Sequence, residues 1–272
     1  MNLKLSRTHL SNKTLDIYSA DCPEAWAKNT NKTSIYSANS FDYKFNSMGF
    51  RCDEFCLQSN VPTVYLGCSH TMGLGVPYNE SWAYKLHQQL SPLDPFWNLA
   101  FEKSSIDAQV LMLNEYVNEL RPKRIFFLMP NLYRRYITYG NSMLHYSPML
   151  GQDKKFFDPK NTYEKFNIDS LEPTLLDQSY AFSQVDLYLT MLDLIASKYN
   201  ATVFLQHWYL TKTEEKLMLD TLIAKFSNIV KLDTEWEIKD WARDKMHFGP
   251  DSHSLFADRL SNELSRLLHR LR

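Results

Sequence analysis

From Thr63 onward the sequence alternates short runs rich in Val, Ile, Phe and Leu with longer stretches whose apolar residues recur at helical spacing. The short runs are Thr63–Gly67, Phe96–Phe101, Arg124–Met129, Thr202–Gln206 and Ile229–Leu232. Between and after them lie Ser81–Leu90, Ile106–Leu120, Ser183–Lys198, Glu214–Phe226 and Ser252–Leu271. In the last of these Leu255, Phe256, Leu260, Leu264, Leu267, Leu268 and Leu271 form a single apolar stripe. Successive strands separated by helices pair in parallel, and helices then cover both faces of the sheet. The order therefore predicts an α/β fold, a three-layer α/β/α sandwich around a parallel sheet of about five strands. Ligands of such sheets sit beyond the carboxyl ends of the strands, which is where Ser69, Asn131 and His207 fall.

Two regions depart from the alternation. Residues 1–60 are polar and aromatic without a sustained period, and are expected to form an N-terminal extension packed on a main domain of residues 61–272. Residues 133–178, after the third strand, are too long for an ordinary connection and are read as an insert or lid. Their many Tyr and Phe residues argue against full disorder.

Composition excludes several classes. With 272 residues the chain can bury a substantial core. Lys and Arg number 30 against 31 Asp and Glu, so no basic field invites nucleic acid. No apolar run is long enough to span a bilayer, and the N-terminus lacks the apolar segment of a secretory signal, so a cytoplasmic location is expected. Four cysteines (Cys22, Cys52, Cys56 and Cys68) are too few for a disulfide framework. The pair Cys52 and Cys56 has no second ligand pair to complete a zinc site, and no phosphate or dinucleotide loop occurs. No cofactor and no metal are expected, and the sequence leaves the oligomeric state open.

Chemistry concentrates in two places. The strand ending at Leu66 breaks at Gly67 and presents Cys68, Ser69 and His70; far along the chain, Asp244 precedes His247 by three residues. A serine hydroxyl is a weak nucleophile until a base within hydrogen-bond reach takes its proton. Ser69 as nucleophile, His247 as base and Asp244 as the orienting acid make such a set. Cys68 is the rival nucleophile, because a thiolate beside His247 would react well; on a tight turn only one of the two neighbours can face the pocket. His70, Arg134 and His207 are candidate substrate-binding residues, Arg134 with Arg135 being placed to clamp an anion. His253 is read as structural.

The stretch GCSHTMGLGVPYNESWAYKL resembles the first block of the SGNH, or GDSL-type, hydrolases, and ARDKMHFGPDSH resembles their last, D-x-x-H block. FWNLAFEKSS is similar to the second block and LMPN to the third, and all four occur in the family order. The YKFNSMGFRCDEF segment also resembles one that precedes the hydrolase domain in some members. The resemblance implies an SGNH/flavodoxin-like sandwich and an oxyanion hole from the Ser69 N–H, a backbone N–H at or near Lys103 and the Asn131 side chain. It further implies a serine esterase that acts through an acyl-enzyme on Ser69, on a small-molecule or carbohydrate ester with a short acyl group such as O-acetyl. Transfer of the acyl group to another acceptor would use the same machinery. Three places depart from the pattern: Cys68 replaces the aspartate of G-D-S, Lys103 or a neighbour replaces a glycine, and Met129-Pro130-Asn131-Leu132 lacks the glycine and aspartate of the third block. The alternative reading is a catalytically degenerate protein of the same fold that binds a glycan or a partner.

Overall fold

The computed structural model describes residues 7–37, 39–55, 59–139, 142–146, 168–207 and 213–270. An N-terminal segment carries the short strands β1 (Thr14–Leu15) and β2 (Tyr43–Lys44), paired antiparallel, with helix α1 (Pro23–Lys28) between them. The alternating region follows: β3 (Thr63–Leu66), α2 (Ser69–Met72), α3 (Trp82–Leu90), β4 (Trp97–Asn98), α4 (Ile106–Leu120) and β5 (Arg124–Met129). After a hairpin of β6 (Arg135–Tyr139) and β7 (Ser142–Tyr146) come α5 (Ile168–Leu175), α6 (Gln178–Tyr199), β8 (Thr202–His207), α7 (Thr213–Ile223), β9 (Ile229–Lys231) and α8 (Pro250–Arg270).

The central sheet has five parallel strands in the order β4-β3-β5-β8-β9. Side chains alternate across it, as the pleat requires. Val64, Leu66, Ile125, Phe127, Met129, Val203 and Leu205 enter one core with residues of α4, α6 and α7, such as Leu113, Leu189 and Leu219. Tyr65, Phe126, Leu128 and Phe204 enter the other with Leu86 of α3 and Phe256, Leu260 and Leu264 of α8. Register places Tyr65 beside Phe126 and Phe126 beside Phe204, and the rings stack at 5.2 and 4.9 Å. The fold is a three-layer α/β/α sandwich, and its two cores follow from the period-two pattern of three strands.

Several boundaries differ from the sequence reading, each for a local reason. β4 shrinks to Trp97–Asn98 because flanking backbone N–H groups bond to side chains: Phe96 donates to Asp53 at 2.8 Å and Ala100 to Asn98 Oδ1 at 3.0 Å. α6 starts at Gln178 rather than Ser183, since Asp177 caps it by accepting the Tyr180 N–H at 2.7 Å. The 133–178 region holds the hairpin and α5, which aromatic spacing alone did not disclose. Its residues 147–167, the first six residues of the chain, Cys56 and Leu271 lie outside the described residues. Among the described residues, no helix is long and apolar enough to cross a membrane.

The N-terminal segment packs where β3 ends. Leu10, Tyr18, Tyr43 and Phe45 share a cluster with Met72 and Leu74, just after α2, and with Ala100, just after β4.

Candidate active site

β3 is buried along its whole length and runs into Gly67. A Cβ at Gly67 would lie 2.1 Å from Thr71 Oγ1 and 3.0 Å from Leu128 O, so only glycine lets the chain turn this close to β5. Cys68 is extended, and its carbonyl accepts the N–H groups of Thr71 and Met72, both at 3.0 Å. Gly73 (φ 78°) ends the four-residue helix, and the Leu74 N–H returns to Ser69 O at 2.9 Å. Ser69 is thus fixed at the first position of a tight turn beyond a strand end. The Cys68 side chain is buried; the Ser69 hydroxyl, not the thiol, holds the contact described next.

Asp244 and His247 belong to a turn closed by Lys245 N–H to Ala242 O (2.9 Å) and Ala242 N–H to His247 O (3.0 Å). Asp244 Oδ1 accepts the backbone N–H of Met246 and of His247, each at 2.9 Å, and Oδ2 accepts from His247 Nδ1 at 2.5 Å. His247 Nε2 stands 2.8 Å from Ser69 Oγ. A carboxylate only accepts, so the ring proton sits on Nδ1; Nε2 is then the acceptor and the serine hydroxyl the donor. This is the tautomer a general base requires. Asp244 is fully buried. Burial, the largest single influence, raises its carboxyl, but His247 and the two backbone N–H groups outweigh it and hold the pKa below the ordinary value.

The remaining sequence candidates scatter around this chain. His70 follows Ser69 on α2 and is buried, its ring 4.8 Å from that of His247 and 5.1 Å from that of Phe248. Burial, then His247, His253 and Arg134, push its pKa well down, so it backs the base as a neutral ring. Arg134 lies one turn past Asn131, with its N–H on Asn131 O at 3.1 Å, and its buried Nε and Nη1 have no hydrogen-bond partner among the described residues. The Arg135 guanidinium instead folds back on the Leu132 and Arg134 carbonyls. His207 ends β8, two strands away from β3, and the charged groups acting on it are Lys216, Lys231, Asp220 and Glu235, away from Ser69. His253 accepts the Trp82 N–H on Nδ1 at 3.0 Å and is held down to about 3, chiefly by burial.

The oxyanion candidates border three neighbouring strand ends. Lys103 follows β4 in the left-handed conformation, φ 58°, the region that favours glycine. Burial lowers its ammonium pKa. Asn131, beyond β5, accepts the Tyr133 N–H on Oδ1 at 2.9 Å, which fixes its amide and leaves Nδ2 to donate.

Two residues that the sequence reading passed over brace these ends. Gln109 of α4, fully buried, accepts the Gly67 N–H on Oε1 at 2.9 Å and donates from Nε2 to Ser104 Oγ at 2.8 Å. It therefore ties the turn before Ser69 to the residue after Lys103. Asn98 of β4 donates from Nδ2 to Thr71 O at 2.7 Å and so holds α2 from below. Among the described residues, no cluster of His, Cys, Asp and Glu could hold a metal ion.

No family model matches the sequence, and no curated protein matches it. Solved structures with a similar arrangement include the psychrotrophic esterase EstA from Pseudoalteromonas (10% identity, TM-score 0.45, covering 76% of this chain and 99% of that one). Another is the acetyl xylan esterase Est2A of the rumen bacterium Butyrivibrio proteoclasticus (14%, TM-score 0.48, 79% and 66%). A third is a Clostridium thermocellum family 3 carbohydrate esterase (12%, TM-score 0.46, 78% and 99%). What this chain does has to be argued from its own side chains.

Proposed function

We propose that the protein is a serine ester hydrolase of the SGNH type. The observation that carries this reading is the unbroken chain from Ser69 Oγ to His247 Nε2 at 2.8 Å and from His247 Nδ1 to Asp244 Oδ2 at 2.5 Å. Ser69 Oγ attacks the ester carbonyl carbon as its proton passes to Nε2. The tetrahedral oxyanion is met by the N–H groups of Ser69 and Lys103 and by Asn131 Nδ2. Its collapse expels the alcohol, which leaves with the proton from Nε2, and an acyl group remains on Ser69. Water then enters, gives a proton to His247, and releases the acid and the free serine. Asp244 holds the ring and stabilises the imidazolium without taking the proton.

The substrate class we propose is a carboxylic ester with a short acyl group, with O-acetylated carbohydrate as the first natural candidate. Ser69 is only 7% exposed and His70 packs beside its base, which suits a small acyl group better than a long chain. A fully buried carboxylate held against an imidazole that is itself in register with a serine is costly for a protein that only binds, and counts against the non-catalytic alternative.

The test is p-nitrophenyl acetate turnover and fluorophosphonate labelling of the wild type, Ser69→Ala and Cys68→Ala, with the labelled residue found by mass spectrometry. Loss of both signals in Ser69→Ala alone is the expected result. Loss in Cys68→Ala alone would move the nucleophile one residue, and silence in all three would end the hydrolase reading.

A further inference from the structure

The residue beside the candidate acid anchors in a segment far away in sequence. Arg243 and Asp21, 222 positions apart, form a fully buried ion pair, with Nη2 and Nε at 2.7 and 2.9 Å from Asp21 Oδ2. Taking two charges out of water is costly unless nearly every hydrogen-bonding group is met. Here they are met from the N-terminal segment: Nη1 donates to Phe41 O at 3.0 Å and Nη2 to Asp16 O at 2.8 Å. Asp21 Oδ1 accepts from Trp26 Nε1 at 2.7 Å and Oδ2 from the Tyr43 hydroxyl at 2.5 Å. The Arg243 guanidinium lies 3.9 Å from the Phe41 ring centroid.

The pair closes a ring through Gly75. The Arg243 backbone N–H donates to Gly75 O at 2.8 Å, and the Gly75 N–H donates to the Tyr43 hydroxyl at 2.8 Å. Tyr43 then donates to Asp21, which accepts from Arg243. Gly75, at φ 81°, presses on the acid turn: a Cβ there would lie 2.7 Å from Ala242 Cβ and 3.3 Å from Asp244 Oδ1. The same segment touches the turn again where Lys245 Nζ donates to Trp26 O at 3.4 Å and where Lys32 sits 3.5 Å over the Trp241 ring. Arg51 supports the other side, donating to Gly73 O at 2.5 Å and Val76 O at 2.9 Å, with its guanidinium 4.4 Å from the Tyr43 ring.

We propose that Asp21, Tyr43 and Arg243 are positioning residues, and that through this ring the N-terminal segment sets where Asp244 stands behind His247. The proposal rests on the hydrolase reading for its consequence in catalysis, not for its geometry. A buried ion pair adds little net stability compared with an apolar replacement. Its hydrogen bonds do fix one arrangement, and the arrangement fixed here is that of the acid against the base.

Tyr43→Phe breaks the ring at its mildest point, removing the hydroxyl that joins Gly75 to Asp21; Asp21→Asn is the stronger break. The readouts are the kcat and KM split with p-nitrophenyl acetate and the NMR resonance of the His247 Nδ1–H proton that bonds Asp244, assigned with His247→Ala. His247 faces Asp244 on its own turn and Ser69 and His70 on α2, with His253 of α8 acting on it from beyond, and none of these is altered by the variants. With Asp244 loosened, the imidazolium is less well stabilised. The expected result is a kcat lower by about tenfold or more with KM within about twofold, and a His247 Nδ1–H resonance moved upfield or lost to exchange as its hydrogen bond to Asp244 weakens. A lower urea midpoint with kcat and the Nδ1–H resonance both unchanged in Tyr43→Phe would overturn the proposal, and this variant decides alone if Asp21→Asn does not fold. If the wild type neither hydrolyses esters nor takes the label, the hydrolase reading fails, while the Nδ1–H resonance still decides the ring.

Discussion

Asp244 holds His247 at two points: Oδ1 takes its backbone N–H at 2.9 Å and Oδ2 its ring Nδ1 at 2.5 Å. One carboxylate thus shapes the turn and sets the tautomer.

Replacing Asp244 by Asn separates the two roles. The amide oxygen can serve the backbone or the ring, and its NH2 group can hold the ring in the opposite tautomer, with the proton on Nε2 and no acceptor for Ser69. The expected outcome is a near-native circular dichroism spectrum with kcat lower by roughly a thousand- to ten-thousandfold. Activity within tenfold of wild type would remove Asp244 from the mechanism.

Gln109 supplies the acceptor for the Gly67 N–H, which is buried at the start of the nucleophile turn. Gln109→Leu leaves that N–H without its acceptor and the Ser104 hydroxyl oxygen without its donor. A buried donor stripped of its acceptor costs about 1–3 kcal/mol, so the urea midpoint should fall accordingly. Because the same side chain joins the Ser69 and Lys103 turns, kcat should fall as well, with KM little changed. A stability loss with kcat intact would make Gln109 a core residue only.

Lys103 carries a positive φ where a side chain is strained by roughly 1–2 kcal/mol. If its contribution to the oxyanion is the backbone N–H, Lys103→Gly keeps the donor and relieves the strain, against a smaller entropic cost in the unfolded chain. Stability should be unchanged or higher by up to about 1 kcal/mol, and kcat should stay within a few fold. A kcat drop beyond tenfold would assign the role to the ammonium instead.

Arg134 has two buried guanidinium nitrogens without a partner among the described residues and sits one turn beyond Asn131. Such groups are normally satisfied, which makes it a candidate anchor for an anionic substituent on the ester. With Arg134→Gln, KM for an ester bearing a carboxylate should rise about tenfold or more, and KM for a neutral ester should hold within about twofold. Equal effects on both esters would exclude that role.

The sheet and the Ser69, Asp244 and His247 set were legible because their signals are local: period-two runs, a glycine after a strand, and an i, i+3 pair. Gln109, Asn98 and Asp21 were not, since their partners lie 42, 27 and 222 positions away and no short pattern encodes such distances. The N-terminal segment likewise showed no period because several of its buried residues are charged or aromatic and irregularly spaced, such as Asp21, Tyr43 and Arg51. His207 was legible as a strand end but not as a residue facing Lys216 and Lys231, which depends on how α7 and β9 pack.

Acid should weaken the fold through its buried histidines. His253, fully buried, is held from 6.5 down to about 3 by burial and then by His247, and His70 is held well below 6.5 for the same first reason. Both rings regain their ordinary affinity for protons on unfolding, so between pH 6.5 and 3 the unfolded chain binds more protons than the native one. Stability is therefore fully present above about pH 6.5 and is lost as pH falls through this window, by about 1.4 kcal/mol per unit for His253, with His70 adding in the same direction. Between pH 7 and 4.5 the His253 share is up to about 3 kcal/mol. His253→Asn keeps an acceptor near the Nδ1 position for the Trp82 N–H but cannot take a proton. Urea midpoints measured at pH 7 and 4.5 should fall less steeply in this variant than in the wild type, and an equal fall in both would mean that His253 is not a source of the acid sensitivity.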